Sequence, residues 1–213
     1  MKYETIRNQV LEAILEAVDM GLIKGTSGNI AVKDTKEDVI AITPSGIAYK
    51  TMTAEDIAIV DMDGNWIDGA YKPSSETPMH TAVIRARKDV MATVHTHGMF
   101  ATIMAMCDEP LMPSTPPQAE FVPVNIVPFT MPGSNDLAGK VVETLGTDGR
   151  AVLLKNHGMF CCGKNIKAAM AATIYTEEMA TTAYHAKVLG NYQPMPEIAV
   201  QKMKELIAAD QAV

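Results

Sequence analysis

The sequence predicts a single α/β domain over residues 1–213, with a central, mostly antiparallel sheet flanked by helices. Three observations support this fold class. A length of 213 residues with 47% hydrophobic residues suits one globular core. Short apolar β runs follow one another with turn residues between them, and amphipathic helical segments flank them. No internal repeat, low-complexity tract or interdomain linker stands out along the chain.

The first half of the chain is predicted to form a helix, three strands and a second helix. Ile6, Val10, Ile14 and Ala17 fall on one helical face, and Gly21 ends that helix. The glycine-rich stretch GLIKGTSGN forms a turn, and the segments NIAVK, DVIAIT and IAIVD that follow are typical of strands. The turns TPSG (43–46) and DGN (63–65) separate strands, and the loop KPSSETP (72–78) leads into a helix carrying Met79, Val83 and Ile84.

The second half is predicted to contain three short strands, four helices and a long irregular crossing. Residues 90–96 form a strand, and a short helix covers about 99–106. The segment from 110 to 132 contains seven prolines and one short strand, VNIV. Ser134 caps a helix that runs through Leu145, AVLLK (151–155) is a buried strand, and two helices cover about 166–189 and 197–209.

Charge and cysteine content exclude several classes of protein. The net charge of −7 argues against general nucleic-acid binding, although a local site for a small anion remains compatible with it. No stretch is apolar enough to be a signal peptide or to span a membrane. The three cysteines are odd in number and include the adjacent Cys161 and Cys162, which is no disulfide framework. We therefore expect a cytoplasmic protein.

Three of the five histidines fall at the ends of predicted strands. In VHTHGMF, His95 and His97 are two residues apart, so they project from the same face of a strand. The segment AVLLKNHGMF repeats the pattern with His157. If the two strands are neighbours, three imidazoles meet at one end of the sheet, which is the ligand set of a catalytic metal site with an open position.

The other two histidines lie on predicted helices. His80 and His185 are interpreted as hydrogen-bonded structural residues or surface residues. His80 lies one helical turn after Glu76 and could face the same cavity, so it stays a secondary candidate.

A carboxylate and several hydroxyl-rich turns accompany the histidines. Glu76, where KPSSETP becomes a helix, is either a first-turn residue favoured by the helix dipole or a general base near the metal. Ser74 and Ser75 directly before it favour the second interpretation, because hydroxyls and backbone N–H groups at a helix start bind anions. Two further turns have this character, GTSGN with Thr26 and Asn29, and TPSG with Ser45 and Gly46. Each alone is an ordinary turn, but together they predict a phosphate cradle for a small substrate.

The motifs GTSGN, TPSG, KPSSE, HTH and NHG, in this order, resemble those of the class II sugar-phosphate aldolase/epimerase family over nearly the whole chain. The resemblance implies a three-layer fold of the class II aldolase/adducin type and homotetramers with active sites between subunits. It implies that a divalent ion, usually zinc but also Mn²⁺ or Co²⁺, is bound by His95, His97 and His157, with Glu76 as acid/base and provisional ligand. It implies a phosphate site lined by Gly28, Asn29, Ser45, Gly46, Ser74 and Ser75, with Thr26 close by.

The resemblance implies cleavage of a ketose 1-phosphate, of the L-fuculose 1-phosphate type, to dihydroxyacetone phosphate and an aldehyde. Breaking a carbon–carbon bond next to a ketone leaves an enediolate, which a Lewis-acidic metal ion stabilises while a carboxylate moves a proton. The phosphate cradle fixes the substrate so that these groups meet.

Three alternatives remain open at this stage. The first is an L-ribulose-5-phosphate 4-epimerase. The resemblance implies Glu at position 76 in aldolases and Asp in the epimerase, and this chain has Glu. No tyrosine lies between Tyr71 and Tyr175 to serve as the acid, and Glu120, with Gln118 near it, is a weak substitute that we interpret as a surface carboxylate. The second is a decarboxylase of a phosphorylated sugar acid, and the third is a non-catalytic metal- or sugar-binding domain.

Overall fold

The computed structural model describes residues 1–210, and its centre is one eight-stranded sheet. The strands are β1 (Asn29–Lys33), β2 (Val39–Ile42), β3 (Ala58–Asp61), β4 (Trp66–Asp68), β5 (Ala92–Thr96), β6 (Asn125–Val127), β7 (Ala151–Leu154) and β8 (Gly158–Gly163). Their order across the sheet is β4-β3-β2-β1-β5-β8-β7-β6. Every pair is antiparallel except β6 with β7, so the mostly antiparallel sheet is confirmed.

Helices cover both faces of this sheet. They are α1 (Glu4–Asp19), α2 (Thr77–Ala86), α3 (Met99–Met106), α4 (Asn135–Leu145), α5 (Ile166–Val188) and α6 (Glu197–Asp210). One buried core joins the sheet to α1, α3 and α5, and a second joins the opposite face to α2 and α4. Alternation along β1 shows this division, because Ile30 and Val32 enter the first core while Ala31 enters the second. The fold is a single three-layer α/β domain, as predicted.

The predicted helices are all present, and each end that was predicted lies within two residues of the observed end. Ser134 caps α4 as predicted, since its hydroxyl accepts a hydrogen bond from the backbone N–H of Leu137 at 3.1 Å. The prediction was incomplete in the sheet, because β4 and β8 were not foreseen.

The presence of β8, which was not predicted, makes the sheet order around the histidines different from the one expected. The strands that carry His95 and precede His157 are not neighbours, because β8 lies between them and pairs with both. A tight turn joins β7 to β8, with Asn156 in the left-handed region at φ 55°. Gly158 permits the close contact with β5, since a Cβ atom there would lie 2.3 Å from the carbonyl oxygen of Thr96. The two HGMF segments therefore differ: the first begins α3 and the second begins β8.

Within residues 1–210, the structure contains no helix with both the length and the apolar character needed to cross a bilayer.

Candidate active site

Three histidine side chains meet at one end of the sheet. His95 lies on β5, His97 lies just beyond the end of that strand, and His157 lies in the turn between β7 and β8. One ring nitrogen from each lies within 4.8 Å of the other two, and the three ring centroids are 4.7 to 5.1 Å apart. The Nε2 atoms of His95 and His97 are 3.0 Å apart. The predicted cluster is therefore formed, although the strand β8 that follows His157 was not predicted.

Hydrogen bonding and burial prepare these rings to bind a cation. Nδ1 of His95 donates a hydrogen bond to the carbonyl oxygen of Met159 at 2.8 Å, which directs Nε2 into the cluster. Burial lowers the pKa of both His97 and His157 to about 4, with the neighbouring His95 adding to the effect. These two rings are thus neutral at pH 7, which is the form that binds metal ions.

Glu76 completes the cluster from the N-terminus of α2. Its Oε2 atom lies 3.0 Å from Nε2 of His95, and its Oε1 atom lies 3.4 Å from Nε2 of His157. The amide nitrogen of Asn29 donates a hydrogen bond to Oε2 at 3.1 Å. The side chain makes no capping bond to its own helix, so the functional interpretation of its position accounts for its orientation better than the helix dipole does.

The charge state of Glu76 follows from these contacts. Burial opposes ionisation, but the adjacent His95 ring and the Asn29 amide more than offset it and hold the pKa of Glu76 well below its usual range. Oε1 is buried and has no hydrogen-bond partner among the residues that the structure describes. Three imidazole nitrogens and an ionised carboxylate with a free oxygen fit a divalent ion such as Zn²⁺, Mn²⁺ or Co²⁺.

All residues expected to hold phosphate line one pocket beside this cluster. Its lining includes Thr26, Gly28, Asn29, Ser45, Gly46, Ser74 and Ser75, together with Glu76, His97 and His157. Two backbone hydrogen bonds join the TPSG and KPSSE loops: Ser74 N–H to Thr43 at 3.1 Å and Ser45 N–H to Lys72 at 2.9 Å. Because this pairing brings the two serine loops together, hydroxyls that are far apart in sequence share one cavity.

The GTSGN loop reaches the pocket through a close backbone contact. Gly28 has φ +105°, and a Cβ atom there would lie 2.9 Å from the carbonyl oxygen of His95. Tyr49, which was not predicted from the sequence, is hydrogen-bonded to the backbone of this loop. Its hydroxyl lies 2.6 Å from the carbonyl oxygen of Gly28 and 3.1 Å from that of Thr26, and burial raises its pKa to about 12. No sequence signal marked Tyr49, because only the fold places it under the loop.

Glu177 is a second residue that the sequence did not indicate. Its carboxylate, on α5, accepts hydrogen bonds from the backbone N–H groups of Phe100 at 2.8 Å and Ala101 at 2.9 Å. These groups belong to the first turn of α3, which begins two residues after His97. Glu177 therefore fixes the helix that follows the two strand histidines.

The secondary candidates lie outside the cluster. His80 is fully buried, does not line the pocket and is hydrogen-bonded to Thr93 and Asn29. His185 is on α5, where its ring contacts Phe100 and Tyr184.

Gln118 and Glu120 of the middle loop do not line this pocket, whereas Pro132 at the end of that loop does. Glu120 is exposed and lines a different cavity, with Arg150 and Lys204. Gln118 is buried, and its side-chain oxygen accepts hydrogen bonds from the backbone N–H groups of Ser114 and Thr115. The interpretation of Glu120 as a surface carboxylate agrees with this placement.

Comparison with known proteins agrees with the fold. Residues 8–184 match the family described as class II aldolase and adducin N-terminal domain. The chain is 34% identical over 199 residues to a 5-deoxy-D-ribulose 1-phosphate aldolase of Bacillus thuringiensis serovar kurstaki, with 92% of each chain covered. It is 32% identical over 199 residues to an L-ribulose-5-phosphate 4-epimerase of Salmonella paratyphi C, with 86% of each covered. The structure of an L-fuculose 1-phosphate aldolase superposes with a TM-score of 0.91 at 31% identity, covering 98% of both chains.

The fold and the comparisons define an enzyme of the class II aldolase and epimerase type. The chain belongs to the class II aldolase and adducin N-terminal domain family.

Proposed function

We propose that the chain is a zinc-dependent aldolase that cleaves a ketose 1-phosphate to dihydroxyacetone phosphate and an aldehyde. One observation carries this proposal: the carboxylate of Glu76, with one buried oxygen that has no hydrogen-bond partner among the described residues, lies against the cluster of three imidazoles. Glutamate at this position favours the aldolase over the epimerase.

The chain's own residues supply the remaining requirements of the reaction. A divalent ion bound by His95, His97 and His157 would supply Lewis acidity toward oxygen atoms of the substrate. Glu76 accepts or returns a proton at the reacting carbon or its hydroxyl, because its Oε1 atom is not committed to another donor. The nearby Asn29 amide keeps the other oxygen in place.

The phosphate cradle acts through hydroxyls and backbone amides. Thr26, Ser45 and Ser75 are exposed at its rim, whereas Gly28, Asn29 and Ser74 form its buried floor. Among the described residues, its lining contains no lysine or arginine. A dianionic phosphate is thus held by directed hydrogen bonds, which orient the sugar toward the histidines.

Further features belong to the same proposal. Residues 1–213 act as one catalytic domain in a homotetramer with active sites at the subunit interfaces, as the resemblance implies. The protein acts in the cytoplasm, which agrees with three free cysteines, two of them buried.

A substrate comparison tests the activity. Zinc-loaded protein is incubated separately with 5-deoxy-D-ribulose 1-phosphate, L-fuculose 1-phosphate and L-ribulose 5-phosphate, and products are followed by NMR beside an EDTA-treated control. We expect dihydroxyacetone phosphate from at least one ketose 1-phosphate, only with metal present. Conversion of ribulose 5-phosphate to xylulose 5-phosphate without fragments would establish the epimerase instead. Activity that survives complete metal removal would refute the role of the three histidines.

A further inference from the structure

His80 lies outside the pocket of the candidate active site and is connected to it by hydrogen bonds. It lies on α2 and is fully buried. Its Nε2 atom is 2.5 Å from Oδ1 of Asn29, and its Nδ1 atom is 2.6 Å from Oγ1 of Thr93 on β5. Asn29 in turn donates to Oε2 of Glu76. A continuous series of hydrogen bonds therefore runs from Thr93, at the centre of the sheet, to the carboxylate of Glu76.

The Asn29 amide fixes the direction of every hydrogen bond between Thr93 and Glu76. Its nitrogen donates to Oε2 of Glu76, so its oxygen faces His80. An amide oxygen only accepts, so Nε2 of His80 must carry a proton. A neutral ring then has a lone pair on Nδ1, and the hydroxyl of Thr93 donates to it.

The surroundings of His80 keep its ring neutral and immobile. Burial lowers the pKa of His80 to about 3, so the ring carries no charge at pH 7. The ring packs edge-on against Phe160, with centroids 5.2 Å apart. Because Thr93 is itself fully buried on the central strand, the series of hydrogen bonds starts at a rigid point of the fold.

We propose that His80 is a positioning residue that, through Asn29, holds one oxygen of Glu76 in place and leaves the other oxygen free for proton transfer. This inference rests on the acid/base role of Glu76 proposed above. It also assigns the side chain of Asn29 a task beyond the phosphate cradle: its oxygen and one of its two amide protons are committed to this chain.

Paired variants of His80 test the proposal. The side-chain amide of H80Q can place a donor near the position of Nε2, whereas H80F fills the space without one. The readout is zinc-dependent exchange of a carbon-bound proton of dihydroxyacetone phosphate for deuterium, which needs no knowledge of the aldehyde. We expect H80F to lower kcat about 10- to 100-fold with KM changed less than about threefold, and H80Q to stay within about threefold of the wild type.

A milder variant covers the case in which H80F does not fold. T93V removes the hydroxyl that donates to Nδ1 and should lower kcat about threefold to tenfold. T173V makes the same change at another fully buried threonine, whose hydroxyl donates to Ala169 within its own helix, and should leave exchange unchanged. Zinc content should stay at one ion per chain in all variants. Equal losses in H80Q and H80F, or equal effects of T93V and T173V, would overturn the proposal.

A spectroscopic measurement separates this inference from the proposed function. Imidazole ¹⁵N NMR of the zinc-loaded wild type should show His80 as the neutral Nε2–H tautomer, assigned by its loss in H80Q. Absence of proton exchange in the wild type would refute the proposed aldolase activity. The tautomer of His80 would still show whether the hydrogen bonds from Thr93 to Glu76 run in the proposed direction. An Nδ1–H tautomer or a charged His80 ring would refute the proposed series of hydrogen bonds from Thr93 to Glu76.

Discussion

At the scale of single residues, the two oxygens of Glu76 have different surroundings. Oε2 contacts His95 and the Asn29 amide, whereas Oε1 is buried beside His157 without a hydrogen-bond partner among the described residues. A buried acceptor left unpaired is costly unless a cation or a substrate group meets it. The asymmetry therefore indicates where a ligand contacts the carboxylate.

Substitution of Glu76 by Gln should remove turnover while leaving phosphate binding intact. Gln has nearly the same shape and can still accept the bond from Asn29 through its oxygen, but it cannot accept a proton at Oε1. We expect kcat to fall about 10²- to 10⁴-fold, measured as release of dihydroxyacetone phosphate. E143Q, a change at an exposed glutamate on α4, serves as the control.

The binding arm of this experiment separates an enzyme from a binding domain. Inorganic phosphate is titrated into zinc-loaded wild type and E76Q, and its affinity should be similar in both because the cradle consists of hydroxyls and amides. Retention of full turnover in E76Q would rule out the acid/base role.

Residue patterns predicted the residues that line the site better than the residues that hydrogen-bond to them from outside it. The two-residue spacing of His95 and His97 translates directly into a shared direction on a strand. By contrast, the links from His80 to Asn29 and from Tyr49 to Gly28 join residues 51 and 21 positions apart. Contacts of that range depend on sheet order and loop path, which local patterns do not contain.

At the scale of elements, the β7–β8 turn brings His157 to the other two histidines. The sequence predicted β7 because AVLL is an apolar run, but β8 was missed because its segment GMFCCG begins and ends with glycine. Glycines usually indicate turns, and here they permit close packing instead. Gly163, at the far end of β8, lies so near Ala168 and Ala169 that a Cβ atom would clash with them.

The helix after His97 depends on a carboxylate from another helix. In E177Q, only one oxygen remains to accept the two N–H groups of Phe100 and Ala101, and the new amide group would face a donor. We expect the free energy of unfolding of the metal-free protein to fall by about 1–3 kcal/mol in urea titrations. E178Q changes the adjacent exposed glutamate on the same helix and should stay within about 0.5 kcal/mol of the wild type. Equal stabilities for E177Q and the wild type would contradict the capping role.

At the scale of the whole molecule, the three layers protect the sheet but leave apolar side chains exposed elsewhere. Trp66 and Ile67 on the edge strand β4 are each 49% exposed. Leu189 and Ile198, after α5 and at the start of α6, are 83% and 82% exposed. An edge strand with exposed apolar side chains is a surface that proteins normally cover. Both patches are therefore suited to contacts between copies of this chain.

Sedimentation tests the proposed tetramer at this scale. Burial of these apolar patches between subunits should give a species of about four times the 23.0 kDa of the chain at micromolar concentration. W66E and L189E each place a charge in one patch, and the variant that shifts the protein to smaller species identifies the patch that forms a contact. E143Q serves again as the surface control. A wild type that sediments as a monomer would defeat the tetramer, and with it the placement of active sites at subunit interfaces. Each chain would then have to provide the acid that completes the reaction from its own pocket.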